Sequence, residues 1–345
     1  MKKQKIAIIG VSGYTGVELL RLLLEHPNAE ISALVANSNA GKEVAEIYPQ
    51  LTNVNLPKII SFDELNLKEI DVFFLCLPHA TSQAIALKLP TDAKIIDLSA
   101  DFRIKDVKNY EFWYKHKHLA PNLQKKAVYG LSEIYREEIK GANLIACPGC
   151  YPTSILIPLL PLIKAKLIDT KNIIADSKSG MTGAGRTAKE ANLFSELNEN
   201  FKPYSVKDGH RHLAEIEQEL GLFANSPTNI VFTPYILPIN RGILSTIYVN
   251  SSYKFNHLKE FLTDFYKNDV FVKILPESQL PALRNVATTN NVEINILPAY
   301  NSDKIIIFSA LDNLLKGASG QAVQNFNIIN NWPEDTGLSK VSIFP

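Results

Sequence analysis

The feature that most constrains this chain is the segment Gly10-Val-Ser12-Gly13-Tyr14-Thr15-Gly16. It follows the short apolar run 5–9 directly and opens the helix-spaced stretch 16–25, which His26-Pro27 ends. A strand, a glycine turn and a helix in that order let backbone N–H groups and the helix dipole hold a pyrophosphate. The spacing, Gly-x-x-Gly-x-x-Gly, departs from the usual Gly-x-Gly-x-x-Gly. The alternative is a turn that only lets strand and helix pack closely. The N-terminal strand before it and the hydroxyls of Ser12 and Thr15 favour a cofactor loop, with Gly10, Ser12, Gly13, Tyr14, Thr15 and Gly16 as contacts. An NAD site usually has an acid at the end of the second strand. Here the run 30–36 has its acid, Glu30, at the beginning, and its end reads Ala36-Asn37-Ser38-Asn39-Ala40-Gly41-Lys42. Hydroxyl, amide and ammonium donors, Ser38 among them, suit a 2′-phosphate, which favours NADP(H).

Strand-like runs recur at 58–60, 71–77, 94–98 and 143–146, with helix-like segments such as 81–89 between them, and alternating units of this kind build a parallel sheet. A chain of 345 residues also exceeds one ordinary core. Beyond residue 150 the strands are longer and closer together, at 172–177, 229–235, 241–250, 291–297 and 304–311, with helices expected at 187–198, 210–220 and 256–267. The expected architecture is an α/β Rossmann-type dinucleotide-binding domain, residues 1–149 and 313–345, plus an α+β catalytic and oligomerisation domain with a mixed sheet, residues 150–312. The amphipathic segment 313–330 is expected to return to the first domain.

Thirty-six basic against thirty-five acidic residues give a net charge of +1 without long runs of one sign, so nucleic acid is not an expected partner. The apolar run after Lys2, Lys3 and Lys5 is too short for a signal peptide. The most apolar stretch, 155–163, is interrupted by Pro158 and Pro161, too short for a bilayer. Three cysteines form no even disulfide framework, and a cytoplasmic location is expected.

Cys147-Pro148-Gly149-Cys150-Tyr151-Pro152-Thr153 lies where the last strand of the parallel sheet meets an apolar helix. Cys150 would occupy the first turn, where the dipole favours a thiolate, the nucleophile that acyl transfer needs. A redox dithiol of Cys147 and Cys150 has the same spacing. No second Cys-x-x-Cys or histidine pair completes a zinc set, and no metal is expected. Cys76, inside an apolar run, reads as core. For the base, Gly209-His210-Arg211-His212 opens a helix with apolar positions 213, 216 and 220. His210 at its N-terminus would be kept neutral by the dipole, and His212 is the second choice. His116-x-His118 reads as a surface loop.

Taken together, several motifs resemble one family. They are Gly10-x-Ser12-Gly13-Tyr14-Thr15-Gly16-x-Glu18-Leu19, Leu77-Pro78-His79, Asp97-Leu98-Ser99-Ala100-Asp101-Phe102-Arg103, and Pro148-Gly149-Cys150-Tyr151-Pro152-Thr153. Further on come Ser179-Gly180-x-x-Gly183-Ala184-Gly185-Arg186, His210-Arg211-His212, Pro238-x-Asn240-Arg241-Gly242 and Asp312-Asn313-Leu314-x-Lys316-Gly317-Ala318-x-Gly320-Gln321. The chain resembles, nearly end to end, the N-acetyl-gamma-glutamyl-phosphate reductases, relatives of aspartate-semialdehyde dehydrogenase. The resemblance implies NADPH-dependent reduction of an N-acyl-glutamyl phosphate to the semialdehyde through a thioester on Cys150, with His210 as acid/base and Tyr204 beside it. It also implies Asn313 and Gln321 near the nicotinamide, and a homotetramer. Phosphate and α-carboxylate call for guanidinium groups. Arg103 is the phosphate candidate by analogy, and Arg186, Arg211 and Arg241 are the carboxylate candidates. The family usually has Asn at Cys147, so a second thiol near the nucleophile is unusual, and an inactivating disulfide between the two is a further expectation.

Overall fold

The computed structural model describes residues 3–343. The chain divides into two compact units, residues 3–148 with Ala318–Leu338, and Gly149–Gly317 with residues 339–343. Residues 313–317 and the final described stretch therefore go with the second unit, not the first.

In the first unit, β1 (Gln4–Ile9), β2 (Ala29–Val35), β3 (Ile59–Ile60), β4 (Val72–Leu75), β5 (Lys94–Asp97), β6 (Val128–Tyr129) and β7 (Leu144–Ala146) form one sheet, in the order β3-β2-β1-β4-β5-β7-β6. All pairings are parallel. Every residue of β4 and β7 is buried, as expected where both faces of a parallel sheet are covered. The order reverses at β1, which pairs β2 on one side and β4 on the other. Ligands of open α/β sheets bind beyond the strand ends at such a point. There the turn after β1 leads into α1 (Tyr14–Leu24).

The Gly320–Ile329 helix belongs to this unit, and all ten of its residues are buried. Its sequence predicts a solvent-facing polar stripe, yet the polar side chains are enclosed and most of their polar atoms are paired. Asn325 accepts from Ser132 Oγ at 2.8 Å and donates to Gly130 O at 2.8 Å, Gln324 donates to Glu133 at 2.9 Å, and the Asn327 amide oxygen meets His26 Nε2 at 2.8 Å. Buried amides satisfied in this way cost little. His118, expected on a surface loop, is also buried, with Nε2 3.1 Å from Asp101 O and 3.2 Å from Gln124 Oε1.

In the second unit, β8 (Ile173–Gly180), β9 (Lys202–Pro203), β10 (Ile230–Leu237), β11 (Ile243–Asn250), β12 (Val272–Ile274), β13 (Val292–Pro298) and β14 (Lys304–Leu311) form a mixed sheet in the order β12-β13-β14-β11-β8-β10-β9. Alternation of burial, strict along β11 and kept along β8 as far as Ser179, marks one covered face. On that face, α2 (Cys150–Lys164) packs on β11 and β14 and against α3 (His212–Ala224), and α4 (Phe255–Phe265) packs on β13. The helix expected at 187–198 is reduced to a turn at Glu190–Asn192 and the single turn Phe194–Leu197. Leu193 and Phe194 are 52% and 79% exposed, so this stretch has no apolar stripe to bury and little to hold a longer helix.

Candidate active site

Cys150 is the first residue of α2. Its N-cap, Gly149, has no capping side chain, and Pro152 in the first turn has no N–H. The earliest α-helical bond is Thr153 N–H to Gly149 O, 2.9 Å, doubled by the Thr153 hydroxyl at 2.9 Å. The Gly149 N–H itself donates to Glu215 Oε1 of α3 at 2.8 Å. Gly149 must also be small, because a Cβ there would lie 2.5 Å from His212 Nε2. On another side, Gly317 abuts Cys150, since a Cβ on it would stand 2.7 Å from Cys150 Cβ. Cys150 is partly exposed, whereas Cys76 and Cys147 are buried, and none of the three is in a disulfide.

His210 lies two residues before α3, not within its first turn. Its ring is surrounded by aromatics, edge-on to Tyr151 and Tyr204 at 5.5 Å and to His212 at 4.7 Å between centroids. Burial first, and the Arg211 charge second, lower its pKa to about 4. Neutrality, expected from the helix dipole, is thus secured by desolvation and a neighbouring cation. The His212 N–H donates to His210 Nδ1 at 3.2 Å, which puts the neutral ring's proton on Nε2. Tyr204 OH donates to Tyr151 OH at 3.1 Å, and Tyr151 OH to Tyr235 O at 3.1 Å. Burial raises both phenols well above their ordinary range, with Cys150 adding to the effect on each.

In the first unit, the thiol of Cys147 is fully enclosed, contacted by the Asn325 amide at 3.7 Å, and pushed up to about 12 by burial. This thiol is not a ready partner for oxidation. Arg103 is buried and donates through Nε to Cys147 O at 2.7 Å and through Nη2 to Leu98 O at 2.9 Å. Much of its donor capacity secures the ends of β5 and β7. Asp97, at the end of β5, is raised to about 7 by burial and then by Asp101.

The other arginines differ in setting. Arg186 and Arg211 are exposed, whereas Arg241 pairs with buried Asp312 at 3.4 Å. Asp312 also collects the N–H groups of Thr288, Leu314 and Leu315 at 2.8, 2.8 and 3.1 Å. Arg241 thereby fixes the turn that carries Gly317. Asn313 accepts from Gly242 N at 2.7 Å and donates to Thr182 Oγ1 at 2.8 Å. Gln321 donates to Gly130 O at 3.1 Å, and its Oε1 is buried with no hydrogen-bond partner among the described residues.

The glycine loop fits a dinucleotide phosphate. Gly10 sits at φ +98°, where a Cβ would lie 2.2 Å from Cys76 O, and a Cβ on Gly16 would lie 2.3 Å from Gly10 O. Both glycines are therefore required for the turn. Gly13 caps α1 and meets nothing nearer than 3.7 Å, and the first turn of α1 holds no acid and no side-chain cap. Ser12 O is tied to Tyr48 OH at 2.8 Å, and Thr15 O to Ser319 Oγ at 2.8 Å, while the Thr15 hydroxyl turns inward to the Cys76 thiol. At the end of β2, Asn37 accepts from Phe62 N at 3.0 Å and has a structural role. Ser38 and Asn39, with Lys42 3.5 Å from Asn39 Oδ1, form a polar cluster that suits a 2′-phosphate. Among the described residues no group of His, Cys, Asp and Glu could hold a metal ion, and no helix is long and apolar enough to cross a membrane.

Sequence reasoning gave no role to Glu215, nor to Tyr151 and Gly317 although both stand in the motifs quoted above, and it ranked His212 second to His210. The one legible signal was the i, i+3 spacing of His212 and Glu215, which puts both on one helix face.

Two family profiles match, one described as semialdehyde dehydrogenase, NAD binding domain, over residues 5–142, and the other as semialdehyde dehydrogenase, dimerisation domain, over residues 150–313. An N-acetyl-gamma-glutamyl-phosphate reductase of Pelotomaculum thermopropionicum is 47% identical, covering 99% of each chain. One of Rhodobacter capsulatus is 45% identical, again over 99% of each. A chloroplastic protein of Oryza sativa, named as a probable enzyme of the same kind, is 47% identical over 99% of this chain and 82% of its own. In fold, aspartate semialdehyde dehydrogenase II of Vibrio cholerae matches with a TM-score of 0.72 at 16% identity, covering 96% of this chain and 99% of that one.

Proposed function

Because the chain belongs to the N-acetyl-gamma-glutamyl-phosphate reductase family, we propose that it reduces N-acetyl-L-glutamyl 5-phosphate to the 5-semialdehyde, an NADP-dependent step of arginine biosynthesis. The observation that carries the chemistry is Cys150 at the head of α2, with its neighbours Gly149 and Gly317 each closed against a side chain by van der Waals contact. The Cys150 thiolate attacks the acyl carbon, the C–O bond to phosphate breaks, and a thioester forms. NADPH, when bound, would supply the hydride, and with a proton from His210 the thioester on Cys150 would become a thiohemiacetal. Collapse of that adduct breaks the C–S bond, giving the aldehyde and the thiol.

His210 serves as the acid/base. The Arg211 charge is part of what depresses its pKa. An anionic substrate paired with Arg211 offsets that charge, raising the pKa toward the range where the ring can hold and return a proton. Tyr204 orients the ring. Arg103, Arg186 and Arg211 are the donors for phosphate and carboxylate, and Arg241 acts through Asp312 instead. The glycine loop holds the pyrophosphate, Ser38, Asn39 and Lys42 the 2′-phosphate, and Asn313 and Gln321 line the nicotinamide side. The first unit, residues 3–148 with Ala318–Leu338, serves as the cofactor-binding domain, and the second, Gly149–Gly317, as the catalytic and dimerisation domain. The enzyme is cytoplasmic and assembles through the latter domain as a homotetramer.

The test runs the reaction backward, following NADP reduction with phosphate and either N-acetyl-glutamate semialdehyde or aspartate semialdehyde. The first is expected to be used at least about 100-fold better, and Cys150→Ser to lose at least about 1,000-fold in kcat. Equal use of the two aldehydes, or turnover surviving in Cys150→Ser, would overturn the proposal. Lys42→Glu is expected to raise KM for NADP at least about tenfold while leaving that for NAD nearly unchanged.

A further inference from the structure

In an ordinary capping box, the third helical residue is Glu or Gln, and its side chain reaches back to the N-cap N–H. At the head of α2 that position is Pro152, which has no such side chain. A different helix fills the role. Glu215 of α3, fully buried, accepts the Gly149 N–H at 2.8 Å. One turn earlier on the same face, the His212 ring lies against the Gly149 Cα so closely that a Cβ there would meet three of its atoms at 2.5–2.9 Å. Gly149 is thus gripped on its N–H and on its Cα by side chains three residues apart on α3. The next residue is the nucleophile.

We propose that Glu215 is a positioning residue for Cys150, with His212 as the opposing jaw of the same grip. This proposal rests on the covalent chemistry assigned above. A buried carboxyl side chain is costly to keep unless its bonds compensate. The Glu215 bond does not reach the reacting atoms. It fixes the backbone at Gly149, whose ψ of 156° sets the direction in which the chain enters α2 and so the place of the Cys150 Sγ. Gly317 on the other side of Cys150 leaves little room for that direction to drift.

Three variants separate aim from stability. Glu215→Gln keeps an acceptor oxygen of the same reach, Glu215→Asp is one methylene too short, and Glu215→Ala has no acceptor. The readouts are thermal unfolding, kcat and KM for semialdehyde oxidation, and the rate at which iodoacetamide alkylates Cys150 in the native chain. Glu215→Asp and Glu215→Ala are expected to fold and to lose about 100-fold in kcat with KM little changed, as for a nucleophile displaced by about 1 Å. The alkylation profile against pH should move with them. Glu215→Gln is expected to restore the rate to within about threefold of the original.

Wild-type kcat and alkylation in folded Asp and Ala variants would overturn the proposal. So would a Gln variant as impaired as Ala. Failure of the Asp and Ala variants to fold would also overturn it, by making Glu215 a determinant of stability alone. Alkylation needs no substrate, so its outcome is independent of the reaction. Turnover surviving in Cys150→Ser would remove the covalent chemistry while the Glu215 effect on the thiol stayed measurable.

Discussion

His210, the residue proposed above as acid/base, is deprived of charge by its surroundings. With a folded pKa of about 4 against an ordinary value of 6.5, His210 is neutral in the folded chain while the unfolded chain takes up its proton. Its contribution to stability is therefore intact above pH 6.5 and is lost as pH falls toward 4. Calorimetry between pH 7 and 4 is expected to show a smaller fall in Tm for His210→Asn than for wild type. Equal falls would contradict the assigned burial. Cys150 and His210 could be proposed from the sequence because the chemistry expected of them depends on residue type and local spacing. Glu215 could not, because nothing local says that its carboxyl group reaches Gly149 on another helix 66 positions away in sequence.

The turn 312–317 carries more than its length suggests. Asp312 gathers one guanidinium and three backbone N–H groups, and the Gly317 N–H returns to Asp312 O at 3.0 Å. Gly317→Ala is expected to keep the fold but lower kcat about 100-fold by crowding Cys150. Asp312→Ala should cost about 3 kcal/mol, read from a denaturant titration, because a guanidinium and three N–H groups lose their acceptor. A Gly317→Ala enzyme with unaltered kcat would mean that the nucleophile can yield. Strand β1, the glycine turn and α1 were readable because burial and turn chemistry agree there. Strands β6, β9 and β12 were not. They are two or three residues long, too short for any period, and exist because a longer neighbour offers its edge.

At the scale of the whole chain, the two-unit plan follows from length and from the change in strand spacing near residue 150. The assignment of the last stretch of chain does not, since it passes between units again at Gly317–Ala318 and at Leu338–Ser339. The Gly320–Ile329 helix is wholly buried within the first unit, so a fragment ending at Pro148 lacks part of its own core. Residues 1–148 alone are expected to be unfolded by circular dichroism, and the same fragment joined through a flexible linker to 318–338 to fold and bind NADPH. A folded 1–148 fragment would show that the helix is dispensable.

Burial of two of the three thiols has a consequence of its own. Cys76 and Cys147 are enclosed and their thiols held far from ionisation, whereas Cys150 is partly exposed. Toward a thiol-specific dye the native molecule is expected to behave as if it had a single thiol, and the opened chain as if it had three. The stoichiometry of labelling is thus a built-in gauge of integrity. It reports the fraction of opened molecules in a preparation, with one equivalent per chain expected when Cys150 alone is accessible.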